Sequence, residues 1–177
     1  MALKTLLDHR QLAIVLQRLA HQLVEVHGDF RDTVLVGIQP RGVALSERLL
    51  TILQEIVGHT DIHYGTLDTT FYRDDLHQGG LHLPSATHFP FPIEGRAVIL
   101  VDDVLHTGRT VRAAMDALLD FGRPRLVELV TLIDRRFSRE VPIQPDYTGR
   151  TVDTLLTLRV KVEWAAGGNT DAVILVE

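Results

Sequence analysis

Apolar residues in this chain recur with two periods, and the alternation between them lays out most of its elements. From Asp8 to His27, Leu12, Leu16, Leu19, Leu23 and Val26 follow the spacing of one helix face, and Gly28 is placed to end that helix. Thr33 to Ile38 (TVLVGI) is almost wholly apolar, as a strand buried on both faces must be. Gln39-Pro40-Arg41-Gly42 follows, then a second helical stretch from about Val43 to Val57, closed by Gly58. Strands are predicted around Asp61 to Leu67, at Ala97 to Val101 and at Leu126 to Ile133. A helix from about Thr110 to Phe121 carries Val111, Ala114, Met115 and Leu118 on one face, with Gly122 and Pro124 behind it. Beyond Ile133 the chain reads as irregular until strands near Leu155 to Glu163 and Ala172 to Val176. Apolar strands alternating with amphipathic helices predict an α/β fold, a mainly parallel central sheet with helices on both faces. No repeat or linker interrupts it, and 177 residues suit one domain over 1–177.

Residues Arg73 to Ile93 break the pattern. They hold Gly79, Gly80, Pro84, Pro90 and Pro92 without a sustained period, and so long an irregular connection marks a functional lid or a mobile arm. His77, His82 and His88 lie in it at spacings that fit no metal site, and they read as loop histidines.

Composition narrows the classes of function. There is no cysteine, which excludes disulfides, thiolate catalysis and Cys-ligated zinc and points to a cytoplasmic location. The N-terminal MALKTLLDHRQ meets Asp8, His9 and Arg10 too early for a signal peptide or a membrane span. A net charge of −5 argues against broad, nonspecific nucleic-acid binding, but screening is local and a cluster of arginines can still hold one anionic ligand. The 18 basic residues include only two lysines, Lys4 and Lys161, and arginine's planar fork suits phosphate.

The chemistry concentrates in Val98 to Thr110, VILVDDVLHTGRT. Val98 to Val101 is a buried strand with Asp102 and Asp103 at its carboxyl end, where open α/β sheets bind ligands. Thr107-Gly108-Arg109-Thr110 then turns into a helix. Its first N–H groups lack intrahelical partners and lie at the positive end of the helix dipole, a seat for phosphate. Gly108 permits close backbone approach, and the Thr107 and Thr110 hydroxyls can donate to phosphate oxygens. A ribose 5-phosphate can meet both the two carboxylates and the phosphate seat, with its hydroxyls toward the acids. A receiver-domain acidic pocket is the rival reading, but it needs a lysine after the last core strand. Neither GxxxxGK[ST] nor GxGxxG is present. Gly42 allows a second tight turn at which exposed N–H groups and Arg41 can bind pyrophosphate. Pro40 removes one N–H donor from it.

The thirteen-residue segment resembles the phosphoribosyl-pyrophosphate signature of type I phosphoribosyltransferases, and DDVLHTGRTVRAAMDALLDFGRPR is similar to the PyrR family of pyrimidine regulators. QRLAHQLVE, LVGIQPRGVALSERL, LDTTFYRDDL, TLIDRR and VPIQPDYTGR extend the likeness along nearly the whole chain. It implies the type I fold with a long flexible arm and a small C-terminal hood, and transfer of phosphoribosyl from phosphoribosyl pyrophosphate (PRPP) to uracil, giving UMP and pyrophosphate. The implied PRPP and nucleotide site comprises Pro40, Arg41 and the run Asp102, Asp103, Val104, Leu105, His106, Thr107, Gly108, Arg109 and Thr110, with Arg135 and Val160 near the nucleobase. Arg73, opening the arm in Phe71 to Asp75, would reach the departing pyrophosphate and, with Asp102 and Asp103, serve catalysis. The two acids would meet Mg²⁺ through its water, or the ribose hydroxyls. His106 stands where relatives often carry Tyr.

The same resemblance implies a UMP-responsive attenuator that binds pyrimidine-operon leader mRNA, and a homodimer or larger assembly of dimers. Arg18 and His21, three apart, share a helix face and match the RNA-contacting helix of the family. Arg135, Arg136, Arg139 and Arg150 outnumber Glu140 and Asp146 in their stretch, so Arg139 and Arg150 join Arg18 and His21 as RNA candidates. Departures fall here: DRRFSREVPIQ stands where relatives have DRGHRELPIR, and VDTL at Val152 to Leu155 replaces a VPTS-like stretch.

Overall fold

The computed structural model describes residues 2–74, 84–153, 158–165 and 170–176. Its core is a five-stranded, wholly parallel sheet in the order β3-β2-β4-β5-β6, formed by β2 (Thr33–Ile38), β3 (His63–Leu67), β4 (Ala97–Leu105), β5 (Leu126–Arg136) and β6 (Tyr147–Asp153). Strand pleating sends alternate residues to opposite faces. Leu35, Ile99, Val101, Val130 and Leu132 pack beneath α1 (His9–His27) and α2 (Arg41–Val57). Val34, Val36, Val98, Leu100 and Leu129 pack on the other face against α3 (Arg109–Leu118). Both faces being covered explains why these strands read as continuous apolar runs.

Helix α1 begins in a capping box. Asp8 accepts from Gln11 N at 2.8 Å and Gln11 Oε1 accepts from Asp8 N at 3.1 Å. Its buried stripe is Leu12, Leu16, Leu19, Ala20 and Leu23, but Val26 is exposed, contrary to its expected place. The last turn is covered instead by His27 and the fully buried Phe30, whose rings lie 5.7 Å apart. On α3, too, Met115 is exposed, while Ala113, Ala114 and Ala117 face inward and let the helix sit close to the sheet.

A smaller antiparallel sheet, β1-β8-β7, joins β1 (Ala2–Leu7), β8 (Ala172–Val176) and β7 (Arg159–Glu163). The expected C-terminal hood is thus built partly from the N-terminus. Both β1 and the edge strand β6 were absent from the sequence-based expectation. Lys4 and Thr5 break the apolar run of β1, and β6 buries only Tyr147 and Val152. The strand expected from Leu155 begins at Arg159 among the described residues; Leu155 itself, Asp75, His77 and His82 lie outside them. His88 is described and exposed, paired with Thr66 in a single β-bridge.

Candidate active site

Strand order places the site. From β2 the chain passes outward to β3, then returns to build β4 on the other side of β2, so the order reverses between β2 and β4. Crevices at such switch points, beyond the carboxyl ends of the strands, are where open parallel sheets bind ligands. Pairing of β4 with β2 ends at Val101↔Gly37, whereas pairing with β5 runs on through Asp102↔Thr131 and Val104↔Ile133 to Leu105↔Asp134. Asp102 and Asp103 therefore lie inside β4, four residues longer than expected, on the stretch that has outrun its β2 neighbour. Residues Gln39 to Gly42 leave the end of β2 directly beside it.

Both acids are buried, 8% and 5% exposed. Asp102 Oδ1 accepts from Asp103 N at 2.9 Å. Burial, reinforced by the Asp103 carboxylate, pushes Asp102 up to about 8 against the pull of Arg41 and Arg73. Burial also raises Asp103, with Arg41 as the main opposing charge. Both groups are harder to ionise than a free carboxyl, a cost that a cation or hydroxyl donors at the site would offset.

Gly108 caps α3 with φ of +88°, in the left-handed region that glycine enters without steric cost, and no side chain caps the helix. A Cβ at Gly108 would also lie 2.7 Å from Val141 Cγ2. The first N–H of α3, on Arg109, donates to Thr107 Oγ1 at 3.3 Å, and the Thr110 hydroxyl lies in the same first turn. Opposite this turn, α2 starts at Arg41, with Pro40 at its N-cap and no side-chain cap bond. Gly42 is pressed onto β4: a Cβ there would fall 2.1 Å from the Val101 carbonyl oxygen. Two uncapped helix starts accordingly converge on the two acids. The Gln39 side chain steadies the second loop, donating to Thr66 Oγ1 at 3.1 Å and to Ala86 O at 2.7 Å.

The base of the arm is bonded to α3. Arg73 Nη1 donates to Thr110 Oγ1 at 3.0 Å, Tyr72 donates to Asp120, and Asp74 accepts from Arg109 Nη1 at 2.7 Å. Arg109 also pairs with Glu140 at 2.5 Å, so its side chain joins the arm to the loop after β5. On the hood side, a cavity of about 220 Å³ is lined by Pro40, Arg41, Ala44, Asp103, Lys161, Val162 and Trp164. The Arg48 guanidinium lies 4.2 Å from the Trp164 ring centroid and 3.4 Å from Asp171, which also accepts from Ala165 N. Lys161, Val162 and Trp164 were missed in the sequence. An exposed lysine and a tryptophan beside Val160 carried no spacing signal, and only the fold of β7 brings them over Asp103.

A profile of the phosphoribosyl transferase domain family matches residues 2–164. A bifunctional protein PyrR from Chloroflexus aurantiacus is 45% identical over 98% of this chain and 94% of its own length. One from a Picosynechococcus species is 41% identical over 97% and 96%. The chain belongs to the PyrR family. Its fold is that of the phosphoribosyltransferases. A hypoxanthine phosphoribosyltransferase from Staphylococcus aureus superposes with a TM-score of 0.67 at 20% identity, covering 89% of this chain and 81% of that one.

Within this PyrR fold the remaining candidates separate. Arg135 is buried near the end of β5, 4% exposed, where desolvation lowers its pKa. His106 is half-buried beyond β4, its pKa lowered by burial and then by Arg135. Val160 contributes its side chain to the core, while the next two residues line the cavity. Arg18 and Arg150 meet at the β6 edge: Arg18 donates to Thr148 O at 3.2 Å and Gly149 O at 2.5 Å, and Arg150 to Leu6 O at 2.6 Å. His21 is exposed on the same helix, one ring nitrogen on Gln17 O at 2.8 Å. Arg139 stands apart from these three. It is half-buried at the end of β5, its guanidinium turned onto backbone carbonyls, because the loop after β5 folds back over β4.

Proposed function

We propose that this chain transfers the phosphoribosyl group of PRPP to uracil, forming UMP and pyrophosphate, and that it also acts as a UMP-responsive RNA-binding attenuator of pyrimidine genes. The observation that carries the first role is the convergence of Asp102 and Asp103, buried at the switch point, with the uncapped starts of α2 and α3. The 5-phosphate sits on Thr107 to Thr110 and the first turn of α3, with ribose hydroxyls toward the acids. Pyrophosphate lies by Arg41 and Gly42, with Arg73 at the entrance. The nucleobase occupies the space toward Arg135 and the hood residues Val162 and Trp164.

The residues fit Mg²⁺ carried in with PRPP. This ion commonly takes one or two carboxylates, the rest of its shell being water and substrate phosphate. Asp102 and Asp103 would hold that ion through its water or meet the ribose hydroxyls, and no cluster of three or more ligating side chains exists among the described residues. When bound, the ion offsets charge on the pyrophosphate. The protein's own part is largely positioning and electrostatics: positive charge grows at the ribose C1 carbon as pyrophosphate leaves, the acids face that charge, and Arg41 and Arg73 hold the leaving group. Substituting Arg41→Ala and Arg73→Ala tests this. Each is expected to lower turnover with saturating substrates, and near-normal turnover in both would overturn the assignment.

The second role is supported by the bifunctional name shared by the relatives and by Arg18, His21 and Arg150, which share the α1–β6 side of the sheet. An electrophoretic shift with the organism's own pyrimidine-operon leader, with and without UMP, tests it, since absence of UMP-enhanced binding contradicts it. No helix is long and apolar enough to cross a membrane. With no cysteine, we read the location as cytoplasmic. Exposed Phe71, Met115 and Leu119 support assembly into dimers, and 1–177 is read as one domain.

A further inference from the structure

Arg139 makes more contacts to the ligand end of the sheet than any reading of the sequence suggests. Its Nε donates to Ile143 O at 2.9 Å. Its Nη1 faces Leu105 O at 3.3 Å, His106 O at 2.5 Å and Arg135 O at 3.1 Å. Its Nη2 is paired with the Asp134 carboxylate. Ser138 adds a bond from its hydroxyl to Arg135 O at 3.0 Å. All three guanidinium nitrogens are thus engaged, and the side chain is only 22% exposed.

The carbonyls it gathers come from three separate segments. Leu105 ends β4, and His106 leads on into the phosphate turn. Arg135 lies near the end of β5, and Ile143 belongs to the loop that follows. That loop is also bonded to the turn, Thr107 O accepting from Glu140 N at 2.9 Å and from Val141 N at 3.3 Å. His106 and Ile143 lie outside the strands, and Leu105 and Arg135 stand at or next to the last paired positions of β4 and β5; an acceptor left there without a donor is costly. One planar fork serves them all, which the single ammonium of lysine cannot do.

We propose that Arg139 is a positioning residue for phosphoribosyl transfer, an inference that rests on the function proposed above. It fixes the strand end bearing the phosphate turn against the strand end bearing Arg135, and so sets the distance between the sugar phosphate and the nucleobase. Misplacement of a reacting group by about 1 Å can cost about a hundredfold in rate. Arg139 has few donors left for RNA.

The test uses the full chain carrying Arg139→Lys, Arg139→Ala or Asp134→Asn. Melting temperature, PRPP affinity by calorimetry with Mg²⁺, and kcat and KM for PRPP and uracil are measured for each. The expected result for Arg139→Ala is a fall of about a hundredfold in kcat/KM, shared between a lower kcat and a higher uracil KM, together with weaker PRPP binding. Arg139→Lys rescues little, and Asp134→Asn shifts the same constants less. If Arg139→Ala does not fold, the lysine and asparagine variants carry the test. A purely structural role would lower melting temperature and leave the constants of the folded protein within about twofold of wild type; that result overturns the proposal. Wild-type protein inactive on uracil would instead contradict the base assignment. PRPP affinity then still decides the role of Arg139, because an unchanged value in the folded variants overturns it for any base.

Discussion

Arg73 Nη1 donates to the Thr110 hydroxyl across 3.0 Å, joining the base of the arm to the first turn of α3. Under the proposed reading the same hydroxyl serves the sugar phosphate, and the same guanidinium serves the pyrophosphate. Arg73→Ala is expected to reduce kcat by about a hundredfold, the scale of losing one charged contact to a leaving group. Thr110→Val removes one hydroxyl and is expected to raise the PRPP KM about tenfold, with a smaller effect on kcat. Steady-state kinetics on both variants check this split.

Asp102 gives a pH signature independent of turnover. Its carboxyl binds a proton more tightly in the folded chain than in the unfolded one, because burial and Asp103 raise its pKa. Its contribution to stability is therefore most favourable at low pH and is lost as pH climbs from 3.8 through about 8. Asparagine cannot ionise and keeps the acceptor for Asp103 N. Asp102→Asn is expected to melt higher than wild type at pH 9, by on the order of 2 kcal/mol in stability, with the gap closing toward pH 4. Thermal melts across that range measure it, and a gap that does not change with pH contradicts it.

Gly42→Ala sets two effects against each other. Alanine favours a helix by about 1 kcal/mol over glycine. Its methyl, however, would sit 2.1 Å from the Val101 carbonyl oxygen, and relief requires moving backbone beside the acids. Overpacking of this kind costs about 1–3 kcal/mol, so it wins. The variant is expected to unfold at lower denaturant and to bind PRPP at least tenfold more weakly; chemical denaturation and calorimetry check both.

Phe137 holds φ of +66° and is 83% exposed. A non-glycine residue in the left-handed region costs about 1–2 kcal/mol. Only a weak stacking under Arg136, 5.5 Å away, opposes its removal. Phe137→Gly is therefore expected to raise stability by about 0.5–1 kcal/mol after glycine's own entropy cost, visible as a melting increase of a few degrees.

Much of this arrangement was legible in the residues. The buried parallel strands announced themselves through apolar runs that only a sheet covered on both faces requires. The turn from β4 into α3 was readable because Thr107, Gly108 and Arg109 are adjacent in sequence and act through local geometry. What stayed hidden depends on distant segments meeting. The strand β1 pairs with β8 across almost the full chain, and β6 is an edge strand with two buried side chains. Lys161 and Trp164 reach the cavity only because the hood folds over Asp103. Arg139 looked like one of several surface arginines, and nothing in its neighbourhood foretold the carbonyls of Leu105, His106 and Ile143 around it.

The central claim concerns the base. PRPP-dependent pyrophosphate release, measured with uracil, cytosine, hypoxanthine and guanine in the presence of Mg²⁺, tests it most directly. The account predicts release with uracil, with UMP as the nucleotide product and little turnover of the others. Release with hypoxanthine or guanine but not uracil would contradict it.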